Sequence, residues 1–84
     1  MPMTAEVYTG RVLGRIVNRG SKSEYQAAFL ETSDGLLRLC RPAGPAFHDP
    51  VLLRLVGSMI RCRGHMEGGK LTLSSWRKVK PIRN

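Results

Sequence analysis

The feature that most constrains this chain is a change of hydrophobic period at Gly57. Before it, Asp49-Pro50 is a strong helix opening, an Asp cap followed by Pro at the first helical position. Leu52, Leu55 and Val56 then recur at helical spacing, and Gly57 stands where a left-handed helix end favours Gly. After it the period is two. Ile60, Cys62 and Gly64 alternate with Arg61, Arg63 and His65, which is the signature of a half-buried strand. Glu67-Gly68-Gly69 turns the chain, and Lys70 to Val79 runs back. On that return Leu71 and Leu73 share one face, and Thr72, Ser74 and Trp76 share the other. Neither a two-turn helix nor a lone hairpin is stable by itself. Both need a second sheet to cover, and the residues before Pro42 supply it.

Those residues contain three further strands. Val7 to Arg19 is a long one, with Gly10, Val12, Gly14 and Ile16 on one parity and Arg11, Leu13, Arg15, Val17 and Arg19 on the other. Two glycines inside a strand call for a bend or bulge where it curls between two sheets. The polar stretch Asn18 to Ser23 is a loop. Tyr25 to Glu31 is the second strand, Ser33-Asp34-Gly35 a tight turn, and Leu36 to Arg41 the third strand. Pro42-Ala43-Gly44-Pro45-Ala46 can be neither helix nor central strand, and Phe47 is expected to anchor its end. The expected core is Val12, Ile16, Leu39, Leu52, Leu55, Ile60, Cys62, Leu71 and Leu73. The whole chain, 1–84, is expected to be a single domain, with 7–79 folded and 1–6 and 80–84 as loose termini.

The order strand, strand, strand, helix, strand, strand resembles the OB-fold. The resemblance rests on the Gly-containing first strand, the Asp34-Gly35 hairpin, the helix before strand four and the Gly68-Gly69 turn. It implies an all-β five-stranded Greek-key barrel with one short helix between strands three and four. It is similar to small bacterial OB modules of the single-strand-binding and primosomal kind. No functional residue carries over by motif.

Charge points to the class of partner. The 84 residues carry a net charge of +8, and 10 of the 14 basic residues are Arg. Arg suits phosphates and flat bases better than Lys, so an anionic partner is expected, single-stranded DNA or RNA before a membrane surface. The plainer account of the same charge is solubility. Met1 to Glu6 has no basic region followed by an apolar run, so no signal peptide is expected, and no stretch approaches membrane-span length. Cys40 and Cys62 lie outside any CxxC pattern and are expected to be buried thiols in a cytoplasmic protein, with a disulfide between adjacent strands as the open alternative. Cys40, His48, Cys62 and His65 match no zinc spacing, there is no phosphate loop, and the six acidic residues form no telling pair. No metal, cofactor or enzymatic activity is expected.

Strand parity supplies most of the candidate site, Arg11, Arg15 and Arg19 on strand one, Arg61, Arg63 and His65 on strand four and Trp76 on strand five, and the basic run after it adds Arg77 and Lys78. Tyr25 is added as a stacking platform, with Tyr8 and Phe29 as further candidates. Single-strand binders combine such a basic groove with aromatic surfaces. The ordinary alternative for Phe29, Phe47 and Trp76 is a place in the core. The rival functions are a protein-interaction or self-association module, marked by exposed Leu13, Val17 and Leu53, and a sensor of small anions.

Overall fold

The computed structural model describes residues 6–33, 35–45 and 48–80. Five strands and one helix follow in the expected order: β1 Glu6–Val17, β2 Tyr25–Thr32, β3 Gly35–Cys40, α1 Pro50–Leu53, β4 Met59–Glu67 and β5 Lys70–Lys78. The strands form a single sheet in the order β1-β2-β3-β5-β4, and β4 returns to β1, so the sheet closes into a ring.

β1 closes the ring because it serves two partners. Arg11–Val17 pair with β2, and Glu6–Arg11 pair with β4. Gly10 sits at the changeover. A Cβ there would overlap the Glu31 carbonyl oxygen, so only glycine lets the end of β2 come so close. β1 ends at Val17, two residues before Arg19, and Asn18 after it takes a left-handed φ of 54°. Asn is among the few side chains that tolerate this region. Arg19 therefore lies in the β1–β2 loop and not on the strand face.

The crossover from β3 to β5, which pair in parallel over Arg38–Cys40 and Lys70–Thr72, contains α1 and β4. Asp49 caps α1 by accepting from the Val51 N–H at 3.0 Å, with Pro50 at the first turn. The expected helix to Gly57 is shortened to four residues. Leu55, Val56 and Ser58 instead donate three residues back, to Leu52, Leu53 and Leu55. Gly57, at φ 89°, ends this tightened turn and donates to the Val12 carbonyl at 2.8 Å, which ties the segment to β1.

The ring encloses Val12, Leu30, Leu39, Ile60, Cys62, Leu71 and Leu73, and Leu52 and Leu55 pack in from the α1 segment. Two apolar residues depart from the pattern. Ile16 has inward parity but pairs with exposed Gln26 beyond the last buried row, and it is 40% exposed. Val56 follows the apolar stripe in sequence, but the tightened turn rotates it outward, also to 40%. Phe47, Asp34 and most of both termini lie outside the described residues.

Candidate functional site

The site is shaped by one irregularity in the β4–β5 hairpin. Arg63 pairs with Ser75, but the next residue, Gly64, pairs with Leu73, so Ser74 is an extra residue on β5. The Ser74 hydroxyl donates to the Arg63 carbonyl at 3.1 Å. A Cβ on Gly64 would overlap the Thr72 carbonyl oxygen, so the bulge depends on glycine here. The extra residue reverses parity along the rest of β5. Trp76, expected on the outer face with Thr72 and Ser74, instead stands opposite buried Cys62 and packs against the core. Tyr8 pairs with Cys62 from the other side, so Tyr8, Cys62 and Trp76 form one inner row across three strands. Both aromatics are half-buried.

The same reversal turns Arg77 outward, directly opposite Arg61. Two adjacent outer rows result: Thr9, Arg61 and Arg77, then Val7, Arg63 and Ser75. The three arginines are exposed and line a shallow concavity of about 430 Å³ with Val7, Ser75 and Trp76. Neither row holds a carboxylate. Among the described residues, none of the three guanidiniums makes a hydrogen bond or ion pair.

The other expected site residues do not join them. Arg11 donates to the Gly57 carbonyl at 2.9 Å and so braces the end of the α1 segment. Arg15 is exposed on the outer face of β1, opposite Ala27. His65 keeps the parity of Arg63 but lies past the bulge, half-buried beside Thr72. Lys78 pairs with Ile60 and lies at the end of β5 on the other parity. Tyr25 faces outward at the start of β2, where it accepts a hydrogen bond from Arg38, whose guanidinium carbon is 5.3 Å from the ring centroid.

Sequence reasoning named Tyr25 and Phe29 but missed Arg38, which stands beside both. Phe29 is half-buried on the outer parity, between Leu13 on β1 and Arg38 on β3, and lies outside the core cluster. The signal was present: a two-residue turn after Thr32 fixes the pairing of Phe29 with Arg38, and Leu37 and Leu39 flank Arg38 with inward parity. The second missed element is the Arg41–Asp49 pair, bonded through two contacts of 2.7 and 2.9 Å. The Arg41 guanidinium holds the Asp49 carboxyl below its ordinary value, against the opposing effect of burial. This pair lies beside a smaller concavity of about 240 Å³ that also includes Tyr25, Arg38 and His48.

Cys40 and Cys62 are free thiols, and burial pushes the Cys62 thiol up. Among the described residues no three His, Cys, Asp or Glu side chains come together as a metal site would require. No helix among them is long and apolar enough to cross a membrane. Leu13, Val17 and Leu53 are half-buried, and the exposed large apolar residues are Val7, Ile16, Leu36 and Val56. Compared with family models, curated proteins and solved structures, the chain matches none.

Proposed function

We propose that this chain is an OB-type Greek-key barrel that binds single-stranded DNA or RNA with little sequence preference. Ring order and the position of α1 between β3 and β4 support the barrel reading. The observation that carries the function is the set of three exposed guanidiniums, Arg61, Arg63 and Arg77, on one concave face with no acidic neighbour in either row. Arginine forks fit phosphate oxygens, and phosphate contacts position a strand without reading its bases. The stacking role first given to Trp76 passes to Phe29 and Tyr25, which face outward on β2 with Arg38 beside them. No catalytic step is part of this reading.

The test is a titration with labelled single-stranded DNA, single-stranded RNA and duplex at two salt concentrations. Three phosphate contacts on a single strand give a slope of log K against log salt of about −2. Single strands should bind more tightly than duplex, because only unpaired bases offer faces to aromatic rings. No single-strand binding at about 50 mM salt, where the electrostatic contribution is strong, would overturn the reading in favour of the protein-interaction module.

A further inference from the structure

The face assigned to the strand contains an electrostatic conflict of its own. Arg61 and Arg77 stand directly opposite each other across β4 and β5. Facing residues on antiparallel strands have Cβ atoms about 4.5–5.5 Å apart, and like charges at such positions are destabilising. Arg63 adds a third positive charge in the neighbouring row. Three other arginines have acceptors, Asp49 for Arg41, the Gly57 carbonyl for Arg11 and the Tyr25 hydroxyl for Arg38, whereas exposed Arg15 and Arg54 have none but face no second arginine across a strand pair. Arg61 and Arg77 do face each other, and among the described residues neither has an acceptor. The β1 neighbours across the sheet are Thr9 and Val7, neither of which can neutralise them.

We infer that Arg61 and Arg77, assisted by Arg63, form a clamp for a single phosphoryl group, and that occupancy of this clamp stabilises the fold. The inference rests on the strand-binding reading and makes it more specific. An oxyanion placed between two guanidinium forks turns their repulsion into two charge-assisted contacts. The concavity of about 430 Å³ over these residues leaves room for it, and Ser75 is part of its lining. A ligand that binds only the folded chain raises its stability by mass action. Two sources share this chemistry, the phosphates of a nucleic-acid strand and free phosphate, and the experiment separates them.

Thermal unfolding is compared for wild type, Arg77→Thr, Arg61→Thr and Arg15→Thr, in chloride and in inorganic phosphate at equal ionic strength. Threonine suits a strand, and all three arginines are exposed, so the variants should fold. In low-salt chloride, Arg77→Thr and Arg61→Thr should melt above wild type, because the repulsion is gone. In phosphate the wild-type midpoint should rise by roughly 5 °C over chloride. Arg15→Thr should keep this rise, and the two clamp variants should lose it. Equal midpoints in phosphate and chloride for wild type, or a rise that persists in Arg77→Thr, would overturn the clamp. A parallel titration with single strands carrying or lacking a terminal phosphate identifies the source: equal affinity assigns the clamp to backbone phosphates, and a gain of tenfold or more assigns it to a strand end. If strands bind while phosphate gives no shift, the clamp fails and the strand reading survives. If phosphate stabilises while no strand binds, the clamp stands and the strand reading falls.

Discussion

At the scale of single residues, Asp49 does two jobs that can be separated. Its carboxylate caps α1 through Val51 and pairs with Arg41 through both oxygens. Asp49→Ala removes both and should lose at least the cap, worth about 1 kcal/mol. Asp49→Asn keeps a good cap but removes the charge and one of the two acceptors for Arg41. The pH dependence gives the sign. The folded carboxyl titrates below its ordinary value of 3.8, so it binds a proton less readily folded than unfolded. Its contribution is complete above that value and is lost as pH falls through the lower, folded one. Denaturant melts of wild type should therefore weaken below about pH 4, and Asp49→Asn should show a flatter acid limb. An identical limb in both proteins would show that other groups set the acid transition. Trp76 gives a second residue-scale prediction. Because it packs against the core, Trp76→Ala should cost stability, about 1–3 kcal/mol for a half-buried ring, and leave strand affinity within about twofold. Loss of affinity without loss of stability would return the ring to a stacking role.

At the scale of elements, the bulge decides which side chains the hairpin presents. Gly64→Ala forces a methyl group toward the Thr72 carbonyl, which belongs to backbone and cannot swing aside. The cost should be about 1–3 kcal/mol by equilibrium unfolding, as for other overpacked sites. A cost under about 0.5 kcal/mol, typical of open surface, would mean the strands are not so close. The bulge also marks where sequence reasoning stopped working. Period-two alternation correctly put Ile60, Cys62, Leu71 and Leu73 inside and Arg61 and Arg63 outside, because up to Gly64 on β4 and up to Leu73 on β5 each residue advances the pleat by one. One unpaired residue, Ser74, reverses everything after it, and nothing in Leu73-Ser74-Ser75-Trp76 announces which serine will be extra. Ile16 failed for a different reason. Its parity is right, but parity does not say where the buried rows end. Phe29 and Arg38 could be placed from the hairpin turn, since a two-residue turn fixes the whole register.

At the scale of the whole molecule, the question is whether affinity follows net charge or the position of charge. A chain of +8 attracts any polyanion to some degree. Its basic residues fall into separate groups: Arg61, Arg63 and Arg77 around one concavity, and Arg15, Arg19 and Lys22 on the far half of β1 and its following loop. Two triple variants isolate the difference. Arg61, Arg63 and Arg77 are changed to Gln in one, and Arg15, Arg19 and Lys22 to Gln in the other, so each loses three positive charges. Long-range attraction is equally reduced in both, and salt screens it within about 10 Å at 0.1 M. Contact with phosphates is removed only in the first, if the concavity is where the backbone lies. The first triple should then lose roughly tenfold or more in single-strand affinity at about 50 mM salt, and its salt slope should flatten from about −2 toward zero. The second should keep the slope and lose no more than about threefold. Equal losses in the two proteins would show that the fold holds its charge without a dedicated face, and the arginines of β4 and β5 would have no special claim on the strand.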